Sequence, residues 1–532
     1  MADRKINLSR STGIVSIATA LSRVTGFISL LFIAEALGYS RLQDSYNLAN
    51  MMPNMIYELI AGGILTSILI PIFITSRVTE GEAGWRAVSN IMNIAILFLV
   101  GIALLGSIFS YYFVRVQTFL VPTDKVSIAQ LNFFFKFFVW EIVFYGLTAL
   151  LNGILQAHRR FTMPALAPIF NNVVVILTIV LFYLPLRESN PDLALIALAL
   201  GTTLGIAAMA LVQLPALFKI GWQYHAVIDF RDPAFRQLSV LALPVVVYVA
   251  SNQIGLTVSN ALAWQFTGGV TAFLYGWRFF QMPYGLLAAS ISTVLFPDFA
   301  EQAAKSDFRG FKETLSKAIS ATAFIIIPVS IGLFLLSSKI FILIFTNILG
   351  KFTVPDAVQI SEVMAYFVLG LLPFSLFMLF NRVFYSLKDT RTSMKVNALG
   401  VPLNIGLNFL LVSYFGVAGL AMGHSLTYLA TMSLLIYLLK KRIGPINGRA
   451  LLLKITKFAL ISAVMGIIII IVGNLTTFTL DFSETAENLI VLLISTALGG
   501  TIYIALNKAL GTEEVRFLPK MIKGILGRAG KS

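Results

Sequence analysis

Fourteen apolar segments, each long enough to cross a lipid bilayer as a helix, run along this chain with short charged loops between them. They fall at 11–37, 45–76, 88–113, 127–152, 161–184, 191–218, 235–266 and 270–297, then at 311–337, 360–385, 393–414, 416–440, 451–473 and 487–509. A hydrocarbon core about 30 Å thick takes roughly 20 residues of helix. The segments are continuously apolar rather than alternating, which excludes a closed barrel. Only 12% of the 532 residues are charged and 58% are hydrophobic, whereas soluble domains carry about 25% charge. The sequence therefore predicts an all-α polytopic membrane protein.

The net charge of +15 does not point to nucleic acid, because the positive residues sit in short loops between apolar spans. That placement orients a membrane protein. With fourteen spans both termini share one side, and that side has the loops 77–86, 158–160, 219–236, 298–317, 382–395 and 440–454. With the two tails it carries 29 Lys and Arg, against 6 on the other side. The excess predicts cytoplasmic termini in a plasma membrane. The basic start, MADRKINLSR, leads into a long span with no small-residue cleavage pattern and is read as a retained first helix. Cysteine is absent, so disulfides, thiolate metal sites and cysteine nucleophiles are excluded.

The two halves of the chain resemble each other. ILTSILIPIF (64–73) and SISTVLFPDF (290–299) both end a span in Pro-X-Phe, at Pro71 and Pro297. QAHRRFTMP (156–164) and YSLKDTRTS (385–393) are both short basic turns between spans. Two parallel six-helix lobes follow, residues 1–218 and 219–440, with 441–532 supplying helices 13 and 14 and a basic tail. Transporters built this way place the substrate near the membrane midplane.

One charge stands out. Between Arg10 and Glu35, Arg23 is the only ionised side chain, near the centre of the first span. An arginine there costs roughly 2.5 kcal/mol or more unless it meets a polar interior. Thr12, Ser16, Thr19, Arg23 and Gly26 recur at three- and four-residue steps and form one polar stripe. Asn47, Asn50, Asn54 and Glu58, just after Asp44, form another in the second span. Such stripes line either a packed polar seam or a water-filled cavity. Arg278, with Gln281 and Gly285, holds the equivalent early place in the second half. Arg23 and Arg278 are thus expected to reach a central space from opposite lobes and to bind an anion bidentately. The structural alternative pairs Arg23 with Glu58 or Glu35. Lys136 and Glu141, five residues apart, either snorkel or pair across helices. His424 is expected to be an interior histidine, and Pro53, Pro244 and Pro283 to mark bending points.

Nothing in the sequence suggests an enzyme. There is no Gly-rich GK[ST] phosphate loop, and the histidines at 158, 225 and 424 are too scattered for a metal motif. No cofactor is expected.

LSRVTGFISLLFIAEALG (21–38), DSYNLANMMPN (44–54) and the run to IPIF (70–73) resemble the start of the MurJ/MviN lipid II flippases, in the superfamily of multidrug and oligosaccharide-lipid exporters. LNGILQAHRRFTMPALAPIFNNVVVI (151–176) and YGWRFFQMPYGLL (275–287) resemble two further signatures. The resemblance implies two lobes around a cationic cavity, with helices 13 and 14 forming a groove for the lipid tail. It implies transfer of the undecaprenyl-pyrophosphate-linked disaccharide-pentapeptide to the outer leaflet for peptidoglycan synthesis, amid membrane lipids and alongside cell-wall and division proteins. Arg23, Arg278 and Asp44 match family positions. A second helix 1 arginine is Ser29 here, an arginine pair in helix 2 is Tyr57-Glu58, and a glutamate falls at Gly62. Asn404 and Asn408 match part of a sodium pattern, but helix 11 supplies no carboxylate. The rival functions are export of another lipid-linked oligosaccharide, multidrug-cation antiport, and a non-transporting cell-wall scaffold.

Overall fold

The computed structural model describes residues 2–59, 82–120, 125–232, 253–479 and 484–516, and among them the regular structure is helical. In chain order the helices are α1 (Ala2–Leu37), α2 (Arg41–Leu59), α3 (Glu82–Ile108, continued by the short helix Ser110–Gln117), α4 (Ser127–Ala157), α5 (Thr162–Leu186), α6 (Pro191–Phe218) and α7 (253–263). Then come α8 (Gly269–Ala304), α9 (Phe308–Ile348), α10 (Val354–Leu369 and Leu371–Ser386), α11 (Thr390–Phe415), α12 (Val417–Ile443), α13 (Gly448–Thr479) and α14 (Glu484–Ala509). Ten of them are long and apolar enough to cross a bilayer, and the bent pair in α10 makes an eleventh among the described residues. The first predicted span lies within α1. Much of the second and seventh, with Pro71, Pro244 and Gly62, lies outside the described residues.

Side chains at the helix ends set many of the boundaries. Asn190 accepts a hydrogen bond from the Leu193 amide at the start of α6, with Pro191 in the first turn. Asp307 caps α9, and Thr353 with Asp356 forms a reciprocal capping box on α10. The span predicted as one helix at 360–385 is two halves bent by 46° at Gly370. Pro373, in the first turn of the second half, has no amide to continue the ladder. The Ser425 hydroxyl donates to the carbonyls of Tyr366 (2.7 Å) and Phe367 (3.2 Å) beside the break. Pro283 has a related effect in α8, where the next residues, Tyr284–Ala288, form a wider turn with i→i+5 hydrogen bonds.

The chain divides into two compact units, one reaching Gln253 and the other beginning at Ile254. In the first, α4 packs against α2, α3 and α6, and α5 packs against α1 and α6. In the second, α11 packs on α12, and α9 on α10, α13 and α8.

Lipid gives helices little hydrophobic reason to associate, so close approach at small residues matters. Gly201 and Gly205 in α6 form a Gly-x-x-x-Gly face on α5. A Cβ at Gly201 would lie 2.2 Å from the Thr178 side chain, and one at Gly205 would lie 2.4 Å from Asn171 Oδ1. Gly419 and Gly423 repeat the device in α12, against the Leu411 carbonyl and Asn408 Oδ1 of α11. The α13–α14 pair is fastened to α9 by Tyr503, whose hydroxyl donates to the Phe324 carbonyl (2.7 Å), and by packing of Phe324 on Phe458.

Candidate functional site

Arg23 is exposed, with no carboxylate in ion-pair range among the described residues. Its neighbours on α1 turn toward α5. Asn172 Nδ2 donates to Thr25 Oγ1 (3.0 Å) and to the Ser22 carbonyl (3.3 Å), and Gly26 lies against the Asn172 amide. Part of the first stripe is therefore a packed seam, and Arg23 lies outside that seam. Thr19 is also exposed, while the side chains of Thr12 and Ser16 lie outside the described residues. Ser29, where the resemblance anticipates an arginine, is buried.

The stripe on α2 turns toward α4. Asp44 is fully buried and pairs with Arg41 at 3.8 Å. Asn47 is buried, and Tyr46 beside it packs on Phe134 and Phe138 and meets the Thr202 hydroxyl at 3.0 Å. Asn50 Nδ2 approaches Glu141 Oε2 at 3.5 Å, and Asn54 Nδ2 donates to Asn50 Oδ1 at 3.0 Å. The Glu58 and Tyr57 side chains lie outside the described residues. Glu141, read from the sequence as snorkelling or pairing across helices, is fully buried and meets Asn50 of α2, a predicted site residue.

In the second unit Arg278 and Gln281 are exposed on α8, while Gly276 and Phe280 face α10. Trp277 stacks on Phe280 and meets His424 edge-on at 4.7 Å. His424 is half-buried and also enclosed by Phe367 and Tyr428, an aromatic setting rather than a polar relay. A neutral polar cluster joins α7, α11 and α12. Asn408 Nδ2 donates to Ser259 Oγ (2.9 Å) and Asn404 Oδ1 (3.1 Å), and Asn404 Nδ2 donates to Thr427 Oγ1 (3.3 Å). Among the described residues no group of three or more Asp, Glu, His or Cys could hold a metal ion.

An apolar recess of about 370 Å³ lies where α13 meets α9 and the bend of α10. Ile331, Phe334, Leu335, Leu369, Gly466 and Ile470 line it, and Ser330 brings the one hydroxyl. The bend at Gly370 adjoins it, so the Gly370–Pro373 pair was the sequence signal for its wall.

The family model described as "Lipid II flippase MurJ" matches residues 33–490. The chain is 26% identical over 521 residues to the probable lipid II flippase MurJ of Buchnera aphidicola subsp. Acyrthosiphon pisum, covering 97% of this chain and 100% of that one. It is 28% identical over 441 residues to the Vibrio cholerae protein of the same description, covering 80% and 82%. Among solved structures, a lipid II flippase MurJ in an inward closed conformation superposes with TM-score 0.77 at 22% identity, covering 93% of this chain and 99% of that one. An inward-facing multidrug-resistance transporter of the MATE family superposes with TM-score 0.64 at 15% identity, covering 82% and 99%.

Proposed function

The chain belongs to the lipid II flippase MurJ family, and from that premise we propose that it moves undecaprenyl-pyrophosphate-linked disaccharide-pentapeptide from the cytoplasmic to the outer leaflet by alternating access. Both termini are then cytoplasmic, as the loop charges favour. Helices α13 and α14 stand beside the tail. No chemical step is assigned to the protein: it binds, shields and releases.

The observation that carries this reading is Arg23, an exposed cation at the middle of an apolar helix with no carboxylate in range among the described residues. A guanidinium there is costly unless an anion joins it, and a pyrophosphate matches its two parallel donors. Arg278 is also assigned to the headgroup. Asn47, Asn50 and Asn54 are assigned to the sugar or peptide, with Asp44 orienting the start of α2 through Arg41 and Glu58 balancing the local charge. The recess on α13 suits a polyprenyl chain, being apolar apart from Ser330.

The test is lipid II exposure on the outer face of cells that depend on this protein. Arg278→Ala is expected to abolish exposure with the protein still in the membrane. Undiminished exposure would remove Arg278 from the headgroup site.

A further inference from the structure

Glu141 is the one acidic side chain of α4, and the transport reading leaves it unused. It is fully buried, and no Lys, Arg or His nitrogen lies within ion-pair distance among the described residues. Oε2 meets Asn50 at 3.5 Å, and Oε1 has no partner. An uncompensated carboxylate in a membrane interior is expensive and marks function by default.

A second feature lies on the same helix face. Thr148 and Asn152 follow Glu141 at steps of seven and four residues, which places all three on one side of α4. Thr148 is fully buried and Asn152 is nine-tenths buried, and Thr148 Oγ1 and Asn152 Oδ1 also lack partners. These three unpartnered buried oxygens span about 16 Å of one helix face, and interior polar atoms are nearly always satisfied by protein or ordered water. The track ends near the turn 158–160, on the side expected to face the cytoplasm.

The charged groups on the elements packed against α4 leave Glu141 without a counter-ion. On α2, Arg41 is committed to Asp44. The Glu58 and Glu82 side chains lie outside the described residues. Arg86 on α3, Arg115 on its short continuation, Asp192 on α6 and Lys136 on α4 itself complete the set, and none pairs with Glu141.

We propose that Glu141 is a proton-binding site of the first unit, supplied from the cytoplasmic side along a hydrated track past Asn152 and Thr148. The proton adds to the carboxylate oxygen, forms an O–H bond and neutralises the group; it returns to water when released. Protonation changes what Asn50 meets, because a carboxyl can donate where the carboxylate only accepts. Asn50 also accepts from Asn54, so the proton is read out by two residues assigned to the headgroup. That coupling rests on the transport reading, whereas proton binding does not.

Infrared difference spectra of the purified protein, taken over pH steps in sodium-free buffer, test the site. The carbonyl band of a protonated carboxylic acid is expected in the protein and absent in Glu141→Gln. Glu141→Asp, which keeps an acid, is expected to move its titration. Thr148→Val is expected to keep the band but slow its exchange in heavy water several-fold. A band unchanged in Glu141→Gln and Glu141→Asp overturns the proposal, and so does a band abolished by sodium at constant pH, which would make this a metal-ion site. In liposomes loaded with lipid II, a pH gradient is expected to change the flipping rate several-fold, and Glu141→Gln to flatten that response. An unchanged response in Glu141→Gln overturns the coupling. Liposomes in which the unaltered protein moves no lipid II refute the transport reading and leave the infrared result to decide the site.

Discussion

Arg159 and Lys388 adopt the same left-handed backbone, with φ of 58° and 57°, in the turns that join α4 to α5 and α10 to α11. The next amide in each turn reaches back to the equivalent carbonyl, Arg160 to Leu155 at 2.8 Å and Asp389 to Phe384 at 2.9 Å. These are the segments 156–164 and 385–393, whose likeness in sequence suggested an internal repeat. Left-handed φ is unfavourable for side chains bearing a Cβ, most of all branched ones. Lys388→Val should therefore destabilise the protein by about 1 kcal/mol or more, while Lys388→Gly should be neutral or stabilising. Thermal unfolding in detergent measures both, and equal effects would refute the strain.

Close approach at the Gly-x-x-x-Gly faces gives a second expectation. Gly201→Ala places a methyl group within 2.2 Å of Thr178 and should cost about 1–3 kcal/mol. Thr178→Gly should recover part of that loss in the double variant, as expected for neighbours in contact. Additive losses in denaturant unfolding would show that the two positions do not share this contact.

The turn before α11 should give stability an acid limit. Burial disfavours the Asp389 charge, but hydrogen bonds from the Thr392 amide and hydroxyl, with the Arg442 and Arg391 charges, outweigh it and hold the carboxyl below its usual range. A depressed carboxyl stabilises the fold above the ordinary carboxylate pKa and loses that contribution as pH falls through the folded value. Asp389→Asn should keep the helix cap and flatten this acid-side decline. Asp389→Ala should also lose the cap, about 1 kcal/mol. Melting temperature against pH separates the two.

Filling the recess on α13 tests the assigned path of the tail. Ile467 lines it and is more than half exposed, so Ile467→Trp should occupy the space without disturbing the core. The expected result is weaker rescue of flippase-depleted cells at normal protein abundance. Full rescue would place the tail elsewhere.

Much of the helical frame could be read directly, because span edges follow hydropathy: 191–218 became Pro191–Phe218 and 393–414 became Thr390–Phe415. The break at Gly370 does not show in hydropathy because the apolar run continues across it, and Pro373 is its one mark in the sequence. The close helix contacts at Gly201 and Gly419 are marked in the sequence by GTTLG and GLAMG. The direction of the polar stripes could not be read. Which side of α2 is buried depends on Glu141, 91 residues further along, and which side of α1 is buried depends on Asn172. Periodicity identifies a stripe, while its partner comes from tertiary packing.

The most direct measurement is lipid II on the outer face of cells whose own flippase has been depleted and which carry Arg23→Ala or Arg23→Lys, at matched membrane levels. Arg23→Ala should abolish exposure, and Arg23→Lys should restore only part of it, because a single ammonium lacks the paired donors that grip a pyrophosphate. Normal exposure with Arg23→Ala would contradict the account.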